Sequence, residues 1–398
     1  MPFDPIIEFN AVHYAYPNLP DALRGISFAI PKGKKIALVG ANGAGKTTLI
    51  LMCNGMLRPA RGEVRINGMP LAYTTRALRE VRKKVGLVFQ NSDMQLFAPT
   101  VYQDVAFGPL NLGMEHAAIE TAVARSLRAV GLDGFEGRTP HHLSGGEKKR
   151  VAIAGILAME PEVLIFDEPT SSLDPATAEE IMDLLEELNH GGRTILVSTH
   201  DVDLAYRWAD EIILVKDGNL LCQGPPDRVF ADGQLLDDAR LKPPVLLELF
   251  RELVQRNLIG TDKVPRSILD VTDLLESRIR TPGGTGAPGS IYLCDVERAG
   301  AAAIREGIAG HGIAHTGAMG THAKEMTALE NIDVEFTFGV VDKCILKALN
   351  GQDSLILTSG GMVEHVGRRI RDYVRESGNP IPILFLSPEG GEAGRSDP

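Results

Sequence analysis

Short, nearly unbroken apolar runs recur along this chain, each ending abruptly in polar residues. Four stand out: Lys35-Ile36-Ala37-Leu38-Val39, Val85-Gly86-Leu87-Val88-Phe89, Val163-Leu164-Ile165-Phe166 and Thr194-Ile195-Leu196-Val197-Ser198-Thr199. Runs of this length without polar alternation predict strands covered on both faces, as in a parallel sheet. Residues 6–16 alternate instead and predict an edge strand. Residues 22–30 predict a further strand, joined to 35–39 by the turn Pro31-Lys32-Gly33, and residues 62–68 a short strand bounded by glycines. Residues 212–216 and 219–223 predict a hairpin around Asp217-Gly218. Helical spacing fills the intervals: an amphipathic helix over 115–130, with others over 47–54, to about residue 159, and from Pro175 to near residue 189. Residues 93–112 mix apolar and polar positions without clear period, which leaves them free to serve as an interaction surface.

The last third changes character. Residues 245–256 and 267–279 predict two amphipathic helices, and the glycine- and proline-rich stretch Thr281 to Ser290 reads as a linker. Beyond it, strands predicted at 291–296, 312–316, 354–357 and 381–386 interleave with helices near 299–308, 342–349 and 362–376. That alternation predicts a small α/β domain with a mostly parallel sheet. Its glycine-bearing loops at 317–321 and 358–361 follow strands, where such sheets take up small molecules or anions. Ordinary turn glycines are the alternative. His311, His315, His322 and Cys344 lack the helical i,i+4 placement or nearby carboxylate of a metal-sensing site.

Chemistry gathers at the ends of the apolar runs. Directly behind 35–39 comes Gly40-Ala41-Asn42-Gly43-Ala44-Gly45-Lys46-Thr47-Thr48, which fits the phosphate-binding pattern G-x-x-x-x-G-K-[ST] between a strand and a helix. The glycines let backbone N–H groups turn inward onto phosphate oxygens, Lys46 can reach the β- and γ-phosphates, and the Thr47 hydroxyl can ligate Mg²⁺. Gln90, after residues 85–89, is either a surface amide or a ligand for Mg²⁺ or water. Asp167 and Glu168 end the 163–166 run, where carboxylates are costly without a cation or ligand. Asp167 can hold Mg²⁺ through water, and Glu168 can accept a proton from an attacking water. His200 ends the 194–199 run as either a satisfied polar residue or a γ-phosphate contact. Ser144-Gly145-Gly146-Glu147 reads as a plain serine N-cap or as a second anion site at a helix N-terminus. Tyr16, before the loop, is either strand-end packing or a platform for adenine.

Composition narrows the classes. A length of 398 residues accommodates two or three domains, and a formal charge of -11 argues against nucleic-acid binding through a general basic surface. Four scattered cysteines without a C-x-x-C pair point to reduced thiols rather than disulfides or zinc. Residues 1–10 lack a signal-peptide pattern, and no apolar stretch approaches the roughly 18 residues that span a bilayer. Service to a membrane would therefore go through a partner.

Taken in order, these motifs resemble those of ABC-transporter ATP-binding subunits, over residues 6 to about 229. The resemblance implies a P-loop ABC ATPase fold with a small helical subdomain, followed by the second, smaller α/β domain. It implies that Tyr16 stacks on adenine, that Gly40 to Thr48 form the Walker A loop, and that Gln90 belongs to the Q-loop. It makes Leu143 to Glu147 the signature, with Ser144, Gly145 and Gly146 its binding residues, Asp167 the Walker B carboxylate, Glu168 the base, Asp174 the D-loop and His200 the switch histidine. Glu147 departs from the family, which more often has glutamine there. Gly86-Leu87-Val88-Phe89-Gln90-Asn91, Leu96-Phe97-Ala98-Pro99-Thr100-Val101 and Asp104-Val105-Ala106-Phe107-Gly108-Pro109 are similar to the energy-coupling-factor branch, and within it to cobalt and nickel uptake ATPases.

The organisation that follows is an ATP-binding domain over 1–235, a helical extension over 236–280, a linker over 281–290 and the small domain over 291–398. Lys46 and Glu168 lie on one side of the nucleotide and the Ser144 donors on a different face, so a closed site needs a second ATPase subunit, identical or paralogous, arranged head to tail. The expected partners are that subunit and integral membrane transporter subunits, with no nucleic acid, at the cytoplasmic face of the membrane. ATP and Mg²⁺ are the expected ligands. The cargo is expected to be cobalt or nickel, with a vitamin as the alternative. A soluble ABC ATPase of DNA maintenance would carry a long coiled coil between Lys46 and Ser144, and a ribosome-associated one two tandem nucleotide domains; neither pattern occurs.

Overall fold

A computed structural model describes residues 5–261, 263–279 and 288–386, so most of the linker expected over 281–290 lies outside the described residues. The chain forms two compact units: Met1–Ile181 with Gly192–Ile268, and Met182–Gly191 with Leu269–Pro398.

The strands of the first unit, in chain order, are β1 Pro5–Ala15, β2 Asp21–Pro31, β3 Lys35–Val39, β4 Arg61–Ile66, β5 Met69–Pro70, β6 Val85–Val88, β7 Val163–Asp167, β8 Thr194–Thr199, β9 Glu211–Lys216 and β10 Asn219–Gly224. Six of them make one sheet in the order β10-β9-β3-β8-β7-β6. Within it β6, β7, β8, β3 and β9 run parallel, and β10 returns antiparallel to β9. All five residues of β7 and all six of β8 are buried, as two-sided apolar runs require. The β9–β10 turn places Asp217 at φ 46 and Gly218 at φ 77, the backbone of a tight hairpin.

The other strands form an antiparallel sheet in the order β2-β1-β4-β5. Residues 6–16, expected at an edge, are instead internal: β1 pairs with β2 on one side and β4 on the other. The alternation there records one face against the core, not an open edge. Phe9 and Phe28 stack across β1 and β2 at 4.5 Å, in a core shared with Leu49, Met52 and Cys53 of the helix Lys46–Cys53.

Residues 93–112, without evident period, contain a short 3₁₀ turn and the helix Val101–Asn111. Thr100 caps that helix and Asp104 folds back to accept the N–H groups of Phe97 and Ala98 at 3.0 and 3.1 Å. Pro109 inside the helix and apolar side chains facing outward hide the 3.6-residue rhythm.

In the second unit, β11 Ile291–Asp295, β12 His315–Ala318, β13 Ser354–Thr358 and β14 Ile383–Phe385 form a wholly parallel sheet in the order β12-β13-β11-β14. Alternate residues feed two cores: Ile291, Leu293 and Ile356 on one face, Tyr292, Cys294, Leu355 and Leu357 on the other. The strand expected at 312–316 starts later because Gly312, at φ 62, closes the helix Ala301–His311. The loop at 317–321 opens a helix, Thr321–Leu329, that the sequence pattern does not announce. The chain supplies its own acceptor there: the Glu187 carboxyl accepts the Thr321 N–H, and burial pushes its pKa up to about 7. Gly320 stands at φ 89, a backbone that L side chains rarely adopt, which suits glycine in this turn. Two histidines of this unit have polar partners, His311 Nδ1 the Gly307 carbonyl and His315 Nδ1 the Glu335 carboxylate.

Candidate active site

Parallel pairing decides which residues meet. Val39 pairs with Thr199 and Asp167 with Ser198, while Val88 pairs with Phe166. Whatever follows Val39, Val88, Phe166 and Thr199 in sequence therefore emerges along one carboxyl edge, where open α/β sheets bind ligands. Those followers are Gly40, Phe89 with Gln90, Asp167 with Glu168, and His200.

The glycine-rich loop has the tight geometry its composition implies. Gly43 and Gly45 sit at φ 82 and 103, and a Cβ on Gly40 would meet the Val215 carbonyl at 2.4 Å. Ala41, Asn42 and Ala44 complete the loop, with the Ala44 N–H bonded to the Ala41 carbonyl at 3.1 Å. Lys46 opens the helix, is 6 % exposed, and donates from Nζ to the carbonyls of Gly40 at 2.7 Å and Ala41 at 3.2 Å. Burial lowers its pKa, an effect opposed by the charges of Glu168 and Asp167.

Thr47 donates its hydroxyl to Asp167 Oδ2 at 3.0 Å, and the Ser198 hydroxyl donates to Asp167 Oδ1. Thr48 Oγ1 meets the Tyr16 hydroxyl at 3.2 Å, so that ring stands beside the loop. Glu168 is held from both sides: Gln90 Nε2 donates to its Oε2 at 3.1 Å, and His200 Nδ1 meets Oε1 at 3.0 Å. Its backbone stands at φ 44, and its N–H is anchored on the Ser198 carbonyl at 3.1 Å. A carboxylate fixed by an amide and an imidazole at the mouth of a phosphate loop can take a proton from water.

Ser144 and Asp174 belong to different networks. Ser144 caps the helix Gly145–Leu157, accepting the Glu147 N–H at 3.3 Å while Glu147 Oε2 accepts the Ser144 N–H at 2.7 Å. That capping box explains the departure at position 147: the Ser144 N–H holds the Glu147 carboxyl below its usual range, so the carboxylate serves here as glutamine would. Gly146 packs closely against Thr177, whose Cγ2 would lie 2.4 Å from a Cβ and would have to move for any other residue. Asp174 accepts the backbone N–H and the hydroxyl of Thr177 at 3.0 and 2.6 Å, which lowers its pKa.

Two contributors escaped the sequence reading. Ser198 shares Asp167 with Thr47, and only the strand register reveals it. Lys149, 2 % exposed, donates to the carbonyls of Phe89 and Gln90 at 3.0 and 2.9 Å, with burial pulling its pKa down to about 8. It ties the helix behind Ser144 to the segment that carries Gln90. The signal available was a lysine on an otherwise apolar helix face.

Comparison with known proteins places this site in a family. The ABC transporter family model matches residues 23–171. The chain is 49% identical over 387 residues to the energy-coupling factor transporter ATP-binding protein EcfA2 of Methanospirillum hungatei, covering 96% of this chain and 97% of that protein. Among solved structures it resembles CbiO1 of Clostridium perfringens, described as part of the ABC transporter complex CbiONQ, at 38% identity and a TM-score of 0.55, over 63% of this chain and 99% of that one. It also resembles an ATP-binding cassette dimer in a post-hydrolysis state with ADP and Pi, at 29% identity and a TM-score of 0.50, over 55% of this chain and 98% of that one. With the loop, the strand-end carboxylates and near full-length likeness together, the chain belongs to the ABC transporter ATP-binding proteins of the energy-coupling factor type, which hydrolyse ATP for a transporter.

Proposed function

We propose that this chain binds MgATP on the Gly40–Thr48 loop, hydrolyses it in a head-to-tail pair, and so drives an energy-coupling-factor importer for cobalt or nickel ions. The observation that carries the catalytic part is Glu168, held between Gln90 and His200 beside the Thr47–Asp167 pair.

In this reading the loop N–H groups and Lys46 grip the phosphates, and Tyr16 stacks on adenine. The oxygens of Thr47 and Asp167, 3.0 Å apart, and the amide oxygen of Gln90 form the hard donor set that suits Mg²⁺. Bound there, Mg²⁺ would offset charge developing on the transferred phosphoryl group. Glu168 accepts the proton of the attacking water, and His200 and Gln90 hold that carboxylate and contact the γ-phosphate side. Ser144, Gly145 and Gly146 of the second copy close the site, with Asp174 at the junction.

Ser144→Ala tests the pairing. Steady-state hydrolysis is expected to fall at least about tenfold, because an anion-binding donor is lost from the closed pair. Nucleotide affinity measured at concentrations too dilute for pairing should be unchanged; a matching loss in the monomer would remove Ser144 from the partner's site.

Docking on a membrane subunit is supported by residues 90–112. Phe97, Phe107 and Leu110 are 61%, 48% and 57% exposed, and the two rings meet edge to face at 4.7 Å. Phe97 and Phe107 line a cavity of about 450 Å³ whose wall includes Arg79, Asp104 and Met159. An apolar anchor of this kind suits a short helix of the membrane partner. Phe107→Asp is expected to leave the hydrolysis of the purified ATPase within about twofold while abolishing co-purification with membrane subunits. Retained co-purification would move docking elsewhere. Since no helix of the described residues is long and apolar enough to cross a membrane, attachment in this reading is peripheral.

The metal cargo rests on the likeness of residues 86–91, 96–101 and 104–109 to cobalt and nickel uptake ATPases. The test is uptake of radiolabelled Co²⁺ and Ni²⁺ by cells carrying the chain with its membrane partners. ATP-dependent accumulation of either ion supports the reading; co-purifying membrane partners with neither ion moved would favour a vitamin.

A further inference from the structure

Glu186 and His190 stand one helical turn apart near the end of the helix Pro175–His190, on the part of it that belongs to the second unit. His365, from the first turns of the helix Gly361–Ser377 of the same unit, packs against them. One oxygen of Glu186 and one nitrogen from each ring lie within 4.8 Å of one another. We propose that these three residues form a binding site for a divalent late first-row transition ion such as Co²⁺, Ni²⁺ or Zn²⁺.

The chemistry of the donors points that way. The ring centroids of His190 and His365 are 3.6 Å apart at 62°. A neutral imidazole presents a lone pair that ligates metals, and here two such rings stand beside one carboxylate. His190 Nδ1 lies 2.7 Å from the Glu186 carbonyl, which can only accept. Nδ1 therefore carries the proton and Nε2 the lone pair, the orienting arrangement that metal-bound histidines commonly have. Two imidazoles and a carboxylate select imidazole-preferring ions over Mg²⁺ and Ca²⁺, which take oxygen shells. The site is open to an arriving ion, as the His190 and Glu186 side chains are 23% and 18% exposed.

Ligand distances of about 2.1 Å around a tetrahedral ion place donor atoms roughly 3.4 Å apart, so binding draws the three groups together by about an ångström. Side-chain rotation supplies that much. The ion would then tie the last turn of one helix to the first turns of another. No residue of the nucleotide site takes part, and the inference stands whatever the transporter carries.

The experiment is titration of CoCl₂ into the full-length, metal-stripped, nucleotide-free chain in the presence of millimolar Mg²⁺, followed by calorimetry and by the visible d–d absorption of Co²⁺. One ion per chain is expected, with d–d bands intensified by low-symmetry nitrogen and oxygen ligation. His365→Gln and Glu186→Gln should each weaken binding at least about tenfold and shift the bands, while basal MgATPase activity stays unchanged and certifies the fold. His315→Gln, outside the site, should bind as wild type does. If the wild-type chain takes up no stoichiometric Co²⁺ over Mg²⁺, or if both folded variants bind it equally well, the proposal is overturned.

Discussion

Replacing Glu168 with glutamine is expected to lower ATP turnover by at least about a hundredfold while nucleotide binding stays intact. The amide keeps the shape of the carboxylate and can still contact Gln90 and His200, which meet it at 3.1 and 3.0 Å. Only proton acceptance disappears. With ATP bound and hydrolysis blocked, the head-to-tail pair should persist, so size-exclusion chromatography with MgATP should show dimer from the variant and monomer from wild type once its ATP is spent. Turnover within tenfold of wild type would mean that another group takes the proton.

Lys46→Ala should act a step earlier. A charged lysine bound to phosphate oxygens contributes about 1.5–3 kcal/mol, so nucleotide affinity should drop roughly ten- to a hundredfold. Transport should fail with it. In the structure the ammonium already holds the Gly40 and Ala41 carbonyls, so its removal also loosens the loop before nucleotide arrives. Lys46→Arg should not rescue, because a planar guanidinium cannot occupy a 6 % exposed pocket shaped to a single ammonium. Nucleotide titration of the purified variants reads both effects; near-wild-type affinity in the alanine variant would dissociate Lys46 from phosphate binding.

Much of this was readable from the chain because the decisive signals are local. A strand that is apolar throughout must end where polar residues begin, and in a parallel sheet such ends collect on one side. Lys46, Asp167, Glu168 and His200 are found that way, before any contact is known. Ser198 and Lys149 are not, since one depends on pairing across β7 and β8 and the other on which way a buried lysine turns. The internal position of β1 depends on β4, some 50 residues later, which no alternation within β1 can encode. The helix at Val101–Asn111 stays hidden because part of its outward face is apolar, so the contrast that betrays an amphipathic helix is missing. Glu186, His190 and His365 are 175 or more residues apart at the extremes, and only the fold brings them together.

The backbone of Glu168, at φ 44, sets selection for robustness against selection for work. A non-glycine residue there costs on the order of 1 kcal/mol, which glycine would recover. A library screened only for survival of heating would therefore enrich Glu168→Gly, and the hardiest clones would be idle ones. With Glu168 as the proposed base, engineering of this ATPase for endurance has to score turnover in the same round, because stability gained at position 168 would come at the expense of activity.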